Sequence, residues 1–219
     1  MKTTQEIYEA YRIMPSLQLH QLRVAAVAKL LCQSFESNVD EHSVVLACLF
    51  HDMGNIIKSD LRYFPQFVEP EGFEYWNGVK QQFIAKYGAE HHEANIAIAK
   101  EIGLPAASVA VMNGVGFSQL KDVLQSESLE RQIAQYADIR VGPHGILSLH
   151  ERLEEGRKRY NSTRTERSYY ESEGDFEKLA EIAEELEKKL FSGISIAPED
   201  LHDEAVAPLI DELRKYAVA

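Results

Sequence analysis

The run Val44–Phe50, VVLACLF, is apolar without interruption and ends abruptly in His51 and Asp52. A stretch this apolar, with Asp40 placed to cap it, reads as a helix buried on every side. Gly54 suits the left-handed residue that closes such a helix. The end of a buried helix is a costly place for an imidazole and a carboxylate unless something pairs them. Two ligands on one metal ion would remove that cost, so the chain on either side has to be searched for the rest of a ligand set.

Upstream, Glu6–Arg12 has the pattern of a short amphipathic helix, and Pro15 and Ser16 mark the start of a longer one. In LQLHQLRVAAVAKLLCQSF, from Leu17 to Phe35, steps of three and four place His20, Val24, Val27 and Leu31 on one face. His20 therefore points where the core points. A core histidine bonded to a backbone carbonyl would look the same in isolation. Downstream, Lys58 and Arg62 follow the dyad, and either one alone reads as a solvated loop cation. Tyr63–Trp76, YFPQFVEPEGFEYW, is rich in aromatics and punctuated by Pro65, Pro70 and Gly72, which predicts a loop. Val79–Tyr87 is a helix ended by Gly88. His91 and His92 open the next helix, HHEANIAIAKEIG, where a helix N-terminus disfavours a protonated imidazole. Pro105–Asn113 is a further short helix.

In SLERQIAQYADIRVGP, capped by Ser126 or Ser128, Asp138 falls on the stripe of Ala134 and Val141. An aspartate there again needs a partner, and Arg140 or Arg152 would be the simplest one. Ile146–Tyr160 forms another helix, carrying Arg152, Arg157, Lys158 and Arg159. From Asn161 the composition changes. NSTRTERSYYESEG reads as a linker or an exposed helix, and Asp175–Phe191 follows as a helix with Leu179, Ile182, Leu186 and Leu190 as a seam. That seam fits either the body of the chain or a second subunit, as in a homodimer. Glu199–Tyr216 is helical with a break near Pro208. No segment alternates convincingly, so the expected fold class is all-α: a helical domain over residues 1–160 and an acidic helical extension over 161–219.

Charge narrows the partners. Residues 171–219 hold 14 acidic and 5 basic side chains, net −9, which argues against a broad nucleic-acid surface. A small phosphate-bearing ligand needs only a few local cations. No apolar run approaches a membrane span of roughly 20 residues, and the polar start MKTTQEIYEA is not a signal peptide. Cys32 and Cys48 have no metal or redox spacing and read as reduced core residues of a cytoplasmic protein.

His20, His51, Asp52 and Asp138 thus sit on or beside buried helical faces, and joint His₂Asp₂ ligation would satisfy all of them at once. Imidazole and carboxylate without thiolate suit Mn, Fe, Co, Ni, Zn or Mg. The order H…HD…D on a helical scaffold resembles the HD-domain superfamily of metal-dependent phosphohydrolases. The resemblance is carried by LHQLRVAAVAKLL around His20, LACLFHDMGNIIK around the dyad, HHEANIAIAKEIGLP, and YADIRVGP around Asp138, over about residues 13–160.

The resemblance implies that His20, His51, Asp52 and Asp138 hold one divalent ion, with room for a second. Asp52 would act with an activated water. His91 takes the place of a variable extra histidine that contacts a second ion or the scissile phosphate, with His92 as its alternative. Lys58, Arg62 and Arg140 are the candidate phosphate-neutralising cations. The chain departs from particular subgroups. Asn55 stands where the HDIGK subgroup has lysine, no glutamate follows the dyad before Glu69, and no GYP motif is present. The expected activity is hydrolysis of a small phosphate ester, a nucleotide being the leading candidate. A non-catalytic ligand-sensing scaffold and a di-iron oxygenase are the alternatives, although the oxygenases need more histidines than His91 and His92 supply.

Overall fold

A computed structural model describes residues 1–36, 38–162 and 173–218. The helices among the described residues are α1 (Thr4–Ala10), α2 (Pro15–Ser34), α3 (Glu41–Phe50), α4 (Phe73–Tyr87), α5 (His91–Glu101), α6 (Ala106–Met112), α7 (Leu120–Gln125), α8 (Leu129–Arg140), α9 (Leu149–Ser162), α10 (Glu173–Phe191) and α11 (Asp203–Arg214). The fold is all-α, as expected, apart from a two-residue clasp: Lys2–Thr3 (β1) pairs antiparallel with Ala217–Val218 (β2) and joins the two ends of the chain. Segments this short carry no readable alternation. Most of the 161–174 stretch read as a linker, residues 163–172, lies outside the described residues, as do the side chains of Arg159 and Tyr160.

The helix α3 is the centre of the molecule. Asp40 caps it by accepting the Ser43 N–H at 3.0 Å. Val44 through Phe50 are fully buried, packed among α2, α6 and α8. A buried helix end leaves carbonyls that water cannot reach. Here the Tyr8 hydroxyl donates to Leu49 O at 2.6 Å, and His51 Nδ1 turns back to Cys48 O at 2.8 Å. The polar end of the apolar run is therefore part of how the helix stops.

The closing role expected of Gly54 is corrected. Its φ is −93°, not left-handed, and its requirement is one of space. A Cβ at Gly54 would stand 2.7 Å from Ala94 Cβ and 3.0 Å from both Asn95 Oδ1 and His91 O. The missing side chain lets the turn after α3 lie directly on α5, and the Gly54 N–H donates to Asn95 Oδ1 at 2.6 Å. The loop expected over Tyr63–Trp76 is partly helical: Pro65–Val68 form a 3₁₀ turn, and Trp76 is buried in α4. Phe64 and Phe67 pack on each other and on His144.

The C-terminal segment packs on the rest of the chain. α11 lies on α2, and α10 on α7 and α8. In α10, Leu186 and Leu190 are buried, and Phe191 meets the Tyr136 ring edge-on at 5.5 Å between centroids. Leu186 and Leu190 of the expected seam are thus covered by this chain's own helices, and Leu179 and Ile182 are half-buried against the same core. Between α2 and α11, Arg23 Nε bonds Asp203 Oδ1 at 2.9 Å.

Candidate metal centre

Three helices deliver four side chains to one point. His20 comes from the second turn of α2, His51 and Asp52 from the turn ending α3, and Asp138 from the last turn of α8. Asp138 Oδ1 is 3.2 Å from His20 Nε2 and 3.2 Å from His51 Nε2. Asp52 Oδ2 is 3.7 Å from His20 Nε2 and 3.6 Å from His51 Nε2. The ligand atoms of His20, His51 and Asp52 all lie within 4.8 Å of one another. Two nitrogen or oxygen ligands, each ~2.1 Å from one ion, stand about 3.0 Å apart in octahedral and about 3.4 Å apart in tetrahedral geometry. The separations of Asp138 from the two histidines fall within that range, and those of Asp52 exceed it by a few tenths of an ångström.

Donor chemistry agrees. Cys48 O can only accept, so His51 Nδ1 carries a hydrogen, and Nε2 faces the cluster, where loss of its proton would free a lone pair for an ion. This is the tautomer and backing contact a histidine ligand needs. Without a cation, the group compensates itself by protonation. Burial pulls the His51 imidazolium down, but the Asp52 and Asp138 carboxylates outweigh it and lift its pKa to about 9. Burial likewise disfavours the Asp138 carboxylate, yet hydrogen bonds from His20 and His51 hold its pKa well below the usual range. A divalent cation would take over the role of those protons.

Asp52 is held by two amides the sequence reading did not assign. Its N–H donates to Gln21 Oε1 at 3.1 Å, and Asn55 Nδ2 donates to its Oδ2. Gln21 is fully buried and sits on the apolar run beside His20. A polar residue on an apolar stripe is the same signal that marked Asp138, so it was open to the same inference.

The other expected site residues divide. Lys58 Nζ lies 3.1 Å from His91 Nε2, and the His91 and His92 rings lie tilted against each other with centroids 4.1 Å apart. Burial, then Lys58 and His92, push His91 down to about 4, and burial and Lys58 lower His92 as well. Asp52 acts electrostatically on both rings, so Lys58, His91 and His92 border the cluster. Arg62 instead lies over the Phe73 ring at 4.5 Å on the surface.

Arg140 is a correction. It is 2% exposed and its donors are spent inside the protein, on Leu147 O, Tyr136 Oη, Pro198 O and Leu201 O. Its charge faces Glu187, 3.8 Å away. A planar five-donor group suits a knot of carbonyls, and Arg140 ties α8 to the C-terminal segment instead of serving a ligand.

A cleft of about 230 Å³ opens beside the cluster, lined by His51, His92, Asn95, Ile96, Met112, Asn113, Val115 and Gln119. No helix among the described residues is long and apolar enough to cross a membrane.

Searches of curated proteins and of solved structures return no match. The model of the family described as HD domain matches residues 18–140, which run from just before His20 to just after Asp138. HD domains bind divalent metals, and the His20, His51 and Asp52 group is one that could hold such an ion. The match spans more than half of the chain, and the chain belongs to the HD domain family.

Proposed function

We propose that this chain is a metal-dependent phosphohydrolase that cleaves a small phosphate ester, with a nucleotide as the leading candidate. The observation that carries the reading is the approach of both carboxylates to both imidazoles, with Asp138 Oδ1 3.2 Å from His20 Nε2 and His51 Nε2 and Asp52 Oδ2 3.7 and 3.6 Å from them. His20, His51, Asp52 and Asp138 would hold the divalent ion. When bound, it supplies Lewis acidity toward a phosphoryl oxygen and lowers the pKa of water.

The remaining work belongs to the chain's own groups. The Cys48 carbonyl fixes the His51 tautomer. Gln21 and Asn55 orient Asp52, so the carboxylate enters the reaction already placed. Lys58 offers an ammonium beside the cluster for a phosphate oxygen, where charge grows during transfer. His91 is neutral at physiological pH. Its Nε2 accepts from Lys58 and keeps that ammonium aimed.

Activity on a panel of phosphate esters with Mn, Co, Ni, Zn, Fe or Mg tests the reading. Phosphate release that disappears in His51→Ala and Asp52→Ala supports it. Tight nucleotide binding with no phosphate release under any of these metals would replace it with a ligand-sensing role.

A further inference from the structure

The two carboxylates of the cluster are held differently. Asp138 Oδ1 lies 3.2 Å from each imidazole, and no other side chain among the described residues bonds it. Asp52 stands farther back. Its Oδ2 is 3.7 Å from His20 Nε2 and 3.6 Å from His51 Nε2, and this same oxygen accepts a hydrogen from Asn55 Nδ2. The donor therefore sits on the oxygen that faces the imidazoles, not on the far side of the carboxylate.

The Asn55 side chain makes this bond and no other among the described residues. Its Oδ1 is buried without a hydrogen-bond partner. An unpaired buried carbonyl oxygen is costly, and turning the amide over would set that oxygen against Asp52 Oδ2. Nor can Asn55 follow the carboxylate toward the imidazoles. Its N–H donates to Asp52 O at 2.9 Å, and its own carbonyl accepts from Ser59 Oγ at 2.8 Å. The Asp52 main chain is fixed in turn by its N–H to Gln21 Oε1 at 3.1 Å. What remains free is a short movement of the Asp52 side chain between Asn55 on one side and the two histidines on the other.

We propose that Asn55 is a positioning residue that weakens the metal centre: its amide competes with the ion for Asp52 Oδ2, makes Asp52 the loosest of the four ligands and leaves the ion exchangeable. The inference rests on the four-ligand reading of the cluster and concerns how tightly that cluster holds an ion, not what it hydrolyses. A hydrogen bond to a carboxylate is charge-assisted. It stabilises the negative charge where it stands and occupies a lone pair, so drawing Oδ2 onto a cation stretches or breaks it. Partners that back a ligand from its far side strengthen it, and their loss lowers metal affinity by about 10–100-fold. A donor on the ligating oxygen itself has the opposite sign.

Calorimetric titration of the metal-free full chain with Mn²⁺ and with Zn²⁺ reads the affinity, and stopped-flow transfer of the ion to a chelator reads its release. Asn55→Leu keeps a branched side chain without the donor, and Asn55→Ala removes the side chain beyond Cβ. Circular dichroism confirms that both variants fold. Each binds both ions about tenfold more tightly than the parent, the scale of one hydrogen bond to a charged group, ~1.4 kcal/mol, and releases them more slowly by a similar factor. A purely structural role for Asn55 does not give that result, because a distorted cluster loses affinity. Unchanged or weaker binding in either folded variant overturns the role of Asn55 and leaves the metal centre standing. A parent that binds neither ion removes the metal centre, and the role of Asn55 with it.

Discussion

Gly54→Ala puts the contact between the histidine–aspartate turn and α5 under direct strain. The added methyl would sit 2.7 Å from Ala94 Cβ and 3.0 Å from His91 O. Carbon atoms in favourable contact stand about 3.5–4.0 Å apart, so the two segments must separate by close to 1 Å. Neither obstacle is the tip of a flexible side chain. Ala94 Cβ is fixed to the α5 backbone, and His91 O is backbone itself. Overpacking of this kind costs about 1–3 kcal/mol. Displacing the Gly54–Asn95 hydrogen bond, 2.6 Å long, adds about 1 kcal/mol. A total of about 2–4 kcal/mol lowers the melting temperature of a chain this size by about 5–15 °C. Gly78→Ala is the control. Gly78 lies within α4 with nothing within 4 Å of its Cβ position, so alanine there gains about 0.5–1 kcal/mol of helix stability. Differential scanning calorimetry of the pair separates the cases. A Gly54→Ala protein melting with or above its parent would refute the close approach of the turn to α5.

Metal binding stabilises the folded state: at a free ion concentration ~100-fold above Kd, melting rises by about 5–11 °C, from ~2.7 kcal/mol of linkage. Calorimetry with and without chelator reads this rise, and it is absent in Asp138→Ala. In the metal-free protein the folded His51 pKa of about 9 lies above its ordinary 6.5. The associated stability is therefore full below pH ~6.5 and is lost as pH rises through about 9. Denaturant titrations across that window measure it, and His51→Gln removes the slope. Metal binding displaces the same proton, so the apparent affinity grows by up to about tenfold per pH unit until His51 is deprotonated. Arg140→Leu destabilises by roughly 3–5 kcal/mol, because it leaves Glu187 and several buried carbonyls uncompensated. Its metal content equals that of the parent, which elemental analysis of the folded variant checks.

The sequence disclosed the cluster because burying a polar side chain on an apolar helical stripe is conspicuous. His20 and Asp138 stand out on 3.6-residue patterns, and the dyad stands out at the end of an apolar run. Asp40, Pro15, Gly88 and Ser128 mark helix ends through local chemistry, which one chain segment can carry by itself. The misreadings concern contacts made across the fold. Gly54 has the residue type of a helix terminator, but its reason is Ala94, distant in sequence. Arg140 was expected as a partner for Asp138 or a phosphate-neutralising cation, yet helical positions two apart diverge and its guanidinium meets Pro198 and Leu201 instead. The β1–β2 clasp is too short to show a period. Gln21 was open to the argument made for Asp138. The cleft was not, since its lining comes together only once α5 and α6 are seen to frame it.

Elemental analysis of the purified chain beside its His51→Ala and Asp52→Ala variants tests the metal centre most directly. The parent carries at least one divalent ion per chain, and each variant, folded by circular dichroism, carries none. Metal content unchanged in both variants would contradict the site.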